Sequence, residues 1–215
     1  MRRGVIIARR IKEAASVHRM RIATCAGKLF EQKGIDNVSM DLIAVTAKYS
    51  KATLYVYFDS KKKIISYLTL LSMQKLKDYI LEGITQNEMH KEKFLGICHG
   101  LYRYASEFPL YFKMVLSPIN IDFKNSRFEE NEREIFRIGE SINNIISRFI
   151  LEGIEIKVFR PDLKVFPTIF NIWGMLVGVI ELALNKKEYI KKEMNMSLDE
   201  FLDYGYDTIF NSVKI

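Results

Sequence analysis

Apolar positions along this chain recur every three or four residues, the spacing that lines one face of an α-helix. Ile22, Ala26, Leu29 and Phe30 form such a face between about His18 and Lys33, and Gly34 is placed to close that helix as a C-cap. Leu42, Ile43 and Ala47 give a second, short helix its apolar side, and Leu54 and Phe58 do the same for a third. Both short helices have their starts written in the sequence. Val38 and Ile43 are spaced as a hydrophobic staple around an N-cap at Ser39, and Tyr49 and Leu54 repeat the device around Ser50. Two short helices with facing apolar sides and a tight turn between them make a helix-turn-helix.

The same spacing continues to the end of the chain. It predicts a fourth helix over 59–82 with Gly83 as a stop, and a fifth over 91–108 ended by Pro109. A short sixth over 110–116 is ended by Pro118, and a linker over 119–125 follows. A long seventh over 126–152 opens with Glu129, Glu130, Glu132 and Glu134, whose charges suit the helix dipole. An eighth covers 161–185. A ninth covers 197–213, where Ser197 and Glu200 have capping-box spacing. No alternating Val/Thr runs bounded by turns interrupt this series, so the fold class is all-α: a three-helix head and a larger helical body, about nine helices in all. The expected division is a head over 1–63 and a body over 64–215. Within the eighth helix, Ile169 to Leu184 is apolar almost throughout. The run is shorter than the roughly 18 to 20 residues a bilayer crossing needs and contains Asn171 and Glu181, so it reads as a buried helix. Gly174 and Gly178 share one of its faces and let another helix approach closely.

Charge gives the two parts different partners. The 215 residues carry a net +7, but residues 1–63 alone carry +9 and the remainder −2. A basic head on a nearly neutral body fits nucleic acid as the partner of the head. Arg2, Arg3, Arg9, Arg10 and Lys12 add a basic arm ahead of the first helix, able to follow a duplex backbone or enter a minor groove. On the third helix, Lys51, Ala52, Thr53, Tyr55 and Tyr57 remain on the outward side, a set suited to phosphates and base edges. Lys51, Ala52, Thr53 and Tyr55 are expected to face the groove, with Ala52 and Thr53 suited to thymine methyls and Lys51 to guanine. Ser39, Tyr57 and Lys61 are expected to hold phosphates, and Ser50, at the second helix start, joins the DNA-contacting set.

From Arg21 to Ile65 the chain resembles the DNA-binding region of the TetR family of repressors. The resemblance rests on Ile22, Ala26, Phe30 and Gly34, on Ser39, Ile43 and Ala44, and above all on the run SKATLYVYFDSK from Ser50 to Lys61. Two positions depart from the family pattern. Lys48 stands where a glycine usually begins the turn, so either a residue with a Cβ takes a left-handed conformation, at about 1 kcal/mol, or the turn differs. Lys62 and Lys63 stand where acidic residues usually follow the Ser-Lys pair, which places three lysines against the dipole of a first turn.

The resemblance implies a cytoplasmic, homodimeric transcriptional regulator, a repressor in most such cases, with helices eight and nine pairing against their symmetry mates. Two heads would then read a palindromic operator, and a small molecule in the body would release it through the fourth helix. It also implies a cavity enclosed by helices four to eight. Met73, Tyr102, Phe112, Phe136, Phe170 and Trp173 are its candidate lining, favouring a hydrophobic effector. The alternative is a DNA-binding or helical interaction module with no effector.

Other chemistries lack parts. No nucleophile elbow, phosphate-cradling glycine loop or paired-histidine motif occurs, which argues against an enzyme and against a cofactor. His18, His90 and His99 have no partners at metal-ligand spacing and read as surface or satisfied core residues. Cys25 and Cys98 form no framework and read as reduced, buried thiols. The charged N-terminus has no signal-peptide pattern.

Overall fold

A computed structural model describes residues 14–117 and 130–215. The basic arm, Pro118, the linker over 119–125 and the expected start of the seventh helix lie outside the described residues. Among the described residues there are ten helices and no strand, with one isolated bridge between Phe159 and Lys214. The chain divides into two compact units, Met1–Leu68 and Thr69–Ile215.

The first unit holds α1 (Ala15–Lys33), α2 (Met40–Thr46), α3 (Lys51–Tyr57) and the beginning of α4 (Lys61–Thr85). Ile22, Ala23, Ala26, Leu29 and Phe30 of α1 are buried, as their spacing requires. Gly34 closes the helix at φ 79°, its N–H donating to the Phe30 carbonyl, while the Asn37 amide donates to the Lys33 carbonyl at 2.8 Å. The staple residues are covered as expected, with Val38, Ile43 and Leu54 buried and Tyr49 half-buried. The Ser39 hydroxyl accepts from the Leu42 N–H at 3.2 Å, and the Ser50 hydroxyl from the Thr53 N–H at 3.1 Å.

The turn between α2 and α3 resolves the question Lys48 raised. Lys48 takes φ 61°, the left-handed conformation. The Tyr49 N–H donates to the Ala44 carbonyl and the Lys48 N–H to the Val45 carbonyl, the two bonds of a Schellman motif. The turn keeps the geometry a glycine would give it, and Lys48 carries a strain of about 1 kcal/mol.

The second unit contains the rest of α4 with α5 (His90–Glu107), α6 (Pro109–Leu116), α7 (Glu130–Glu155), α8 (Val165–Asn185), α9 (Lys187–Glu193) and α10 (Leu198–Val213). Its core joins Tyr104, Phe112, Phe149, Phe159, Ile180, Tyr206 and Phe210, among others. The Ser197–Glu200 capping box opens α10 as predicted. Four expectations need correction. Gly83 does not stop α4, which runs to Thr85. A Cβ at Gly83 would lie 2.5 Å from the Gly96 carbonyl carbon and the Ile97 nitrogen, so the glycine is there to let α4 and α5 touch backbone to backbone. The eighth helix starts at Val165 rather than 161, because Pro161 and Asp162 form a turn. A short helix, α9, occupies a stretch for which the apolar spacing predicts no element.

The fourth correction concerns α8. It is 21 residues long, and by length and composition alone long and apolar enough to cross a membrane. Only Ile169, Leu176, Ile180 and Ala183 are buried, by packing on the body, so the helix is half-covered rather than buried. Phe166, Phe170, Met175 and Leu182 stay exposed, and nothing lies within 4 Å of where a Cβ would stand on Gly174 or Gly178. Gly205 of α10 meets Val179 on another side of the same helix, and a Cβ there would come within 2.8 Å of the valine.

Candidate nucleic-acid interface and ligand cavity

The outward side of α3 carries Lys51, Ala52, Tyr55 and Val56, all exposed. Three of the four are residues the sequence singled out. Val56, at 77% exposure, is the one it missed. The spacing could have found it: Val56 lies one turn beyond Ala52 and so shares its face, but a β-branched apolar residue reads by type as core.

The other predicted contacts have partners within the head. The Lys51 ammonium holds Asp41 of α2, with Nζ 2.7 Å from Oδ1 and 3.0 Å from Oδ2. That carboxylate, through its hydrogen bond first and its charge second, raises the lysine above its ordinary pKa. Thr53 is half-buried, and its hydroxyl lies 2.7 Å from that of Ser50, so it is turned along the helix start. Tyr57 is half-buried and stacked on His18, ring centroids 5.1 Å apart, with Tyr49 edge-on to both. The Tyr49 hydroxyl and His18 Nδ1 are 2.7 Å apart. Lys61 donates from Nζ to the carbonyls of Ile35 at 2.9 Å and Val38 at 3.1 Å. It therefore braces the loop between α1 and α2 with two of its three protons. Ser39 stays exposed at the first turn of α2 while capping it.

In the body, a half-open cavity of about 240 Å³ is lined by residues of α4 to α8. Met73, Phe170 and Trp173 of the predicted set line it. The other three do not. Tyr102 packs half-buried against the core, Phe112 is buried edge-on to Tyr104, and Phe136 is exposed in a surface groove with Arg137, Glu140 and Arg148. Phe94, Ile97 and Leu101 of α5 and Gly139, Ile142, Asn143 and Ile146 of α7 complete much of the wall. On α7 these positions follow helical spacing, a signal present in the sequence; choosing by size and aromaticity passes over it.

Of the three histidines, His90 departs most from its expected place. It is buried and stacked on Phe149 with centroids 4.1 Å apart, and neither ring nitrogen has a hydrogen-bond partner among the described residues. Burial holds its pKa below the ordinary histidine value. Cys98 is buried and Cys25 half-buried, both free thiols.

Comparison with known proteins bears on the whole chain. Residues 23–68 match the family model described as bacterial regulatory proteins, tetR family. Over 183 residues the chain is 26% identical to the negative transcriptional regulator IcaR of the biofilm operon icaADBC from Staphylococcus aureus (strain Newman), spanning 84% of this chain and 91% of the relative. Among solved structures, the TetR-family regulator PfmR from Thermus thermophilus superposes with a TM-score of 0.67 at 24% identity, covering 89% of this chain and 97% of its own. A Rhodococcus sp. RHA1 protein of unknown function superposes with a TM-score of 0.77 at 13% identity, covering 97% and 100%. The capped head coincides with the family's own segment, and the helical body has the fold of its solved members. Residues 23–68 carry the segment of the tetR family of bacterial regulatory proteins, and over most of its length the chain is similar to transcriptional regulators of that family.

Proposed function

We propose that this protein is a cytoplasmic repressor that binds a palindromic operator as a homodimer and leaves it when a hydrophobic small molecule occupies the body. One observation carries the reading: a basic head with an exposed third helix shares a chain with an apolar cavity. Lys51, Ala52, Tyr55 and Val56 read the major groove, with Ala52 and Val56 on thymine methyls. Ser39, Ser50 and the α2 and α3 first turns hold phosphate, and Lys61 offers its third proton there. Thr53 and Tyr57 support α3 from within the head.

The dimer rests on α8 and α10. The exposed Phe166, Met175 and Leu182, beside the open Gly174 and Gly178, form an apolar face that a second copy covers by isologous packing. Two heads about 34–36 Å apart then meet successive major grooves. The effector acts only through its differential affinity for the DNA-competent and DNA-released states.

The test combines sedimentation with DNA binding at several salt concentrations. The protein is expected to sediment as a dimer, and Met175→Glu with Leu182→Glu to make it a monomer. The dimer should bind a palindrome from its own promoter at least about 10³-fold more tightly than random duplex. Equal affinity for both duplexes, with no release by any apolar compound, replaces this reading with that of a non-regulatory DNA-binding module.

A further inference from the structure

The chemistry of the cavity wall narrows the effector further than its apolar character does. Among the described residues its lining contains no Lys, Arg, His, Asp or Glu. Its side-chain polar groups are the amide of Asn143, whose Nδ2 also donates to Glu140 Oε1 outside the lining at 3.3 Å and whose Oδ1 is left to accept, and the indole N–H of Trp173, on α7 and α8. A carboxylate or ammonium buried there would have no opposite charge to offset its desolvation, whereas a hydroxyl or carbonyl needs one or two partners, which these groups supply. Size sets a second bound. A cavity of about 150 Å³ holds benzene, so 240 Å³ corresponds to about ten non-hydrogen atoms. Phe170 lines the wall and is 61% exposed, so the wall reaches the surface of α8 there.

From this wall we infer that the ligand is a small uncharged molecule of about ten non-hydrogen atoms, apolar over most of its surface, whose single hydroxyl or carbonyl is held by Asn143. The inference rests on reading the cavity as the effector site. It excludes free carboxylic acids, amines and phosphorylated compounds as ligands of that site.

The protein carries a sensor for the test, because Trp173 is its one tryptophan and lies in the wall. Full-length protein is titrated with nonan-1-ol and nonanoate, and with 2-naphthol and 2-naphthoate, following Trp173 emission for the first pair and heat for both. At least one neutral probe is expected to bind saturably, with its carboxylate partner weaker by about a hundredfold or more. Asn143→Leu should weaken the neutral probe by roughly tenfold and leave the hydrocarbon of the same skeleton unchanged. Gly139→Leu is expected to abolish binding by filling the space. A Cβ at Gly139 has ordinary room, 3.7 Å from Met73 Cε, so the backbone accepts a side chain there, and an unchanged thermal melt of the variant checks that the fold is kept. A carboxylate that binds as tightly as its alcohol overturns the neutral-ligand inference while leaving the effector site standing. Failure of every probe to bind wild type overturns both. Binding that survives Gly139→Leu places the site elsewhere and overturns the inference.

Discussion

Head and body are both helical, yet they are stabilised differently. The head closes on itself with local devices: two serine caps, a Schellman turn and a lysine brace tie three helices around Ile22, Ile43 and Leu54. Among its described residues, the large apolar side chains left exposed are Val17, Met20, Val45, Tyr55 and Val56, scattered over three helices. The body has a much larger aromatic core and still leaves a half-open cavity and an uncovered side of α8. A unit whose job is to present a surface can finish its own core. A unit that keeps apolar surface unused has room for the ligand and the second copy proposed for it.

Substitutions can separate the two regimes. The largest effect is expected from Leu54→Ala, a fully buried position among the head helices, at about 2–5 kcal/mol. Hydrogen exchange should show head amides losing protection while body amides keep theirs; equal loss in both would mean that they unfold as one unit. Next is Gly83→Ala, where the added carbon meets α5 backbone. About 1–3 kcal/mol of overpacking outweighs the roughly 1 kcal/mol of helix propensity gained, and the loss should register in the body alone by thermal melting.

Lys61→Ala sharpens the picture of the head. It removes two hydrogen bonds to loop carbonyls and is expected to cost about 1–2 kcal/mol of head stability. Denaturant titration measures that cost, and the salt dependence of DNA affinity measures any phosphate contact separately, as about one unit of slope per subunit. Smallest, and of opposite sign, is Lys48→Gly, which relieves the positive φ and should stabilise the head by up to about 1 kcal/mol. A destabilisation there would mean that the lysine side chain contributes more than its backbone strain removes.

The same contrast explains what could be read from the residues alone. Ser39, Ser50 and Ser197 announce helix starts because a cap is decided by neighbours three or four residues away. Lys48 forces a choice between two turns for the same reason. Long-range packing leaves no such mark. Gly83 looks like a stop until Gly96 is brought against it, and His90 looks ordinary until Phe149 stacks on it. Phe112 and Trp173 are alike by type, and only the fold puts one in the core and the other in the cavity wall. Thr53 and Tyr57 look groove-facing by chemistry, and only the fold shows both half-buried, Thr53 beside the Ser50 hydroxyl and Tyr57 on the His18 ring.

Lys51 enters any encounter with its ammonium already clasped by Asp41. A base that recruits it competes with an incumbent carboxylate instead of with loosely held solvent. In the proposed complex, a position that offers no acceptor would leave the lysine on Asp41. In that complex Asp41 would thereby temper how strictly the position is read.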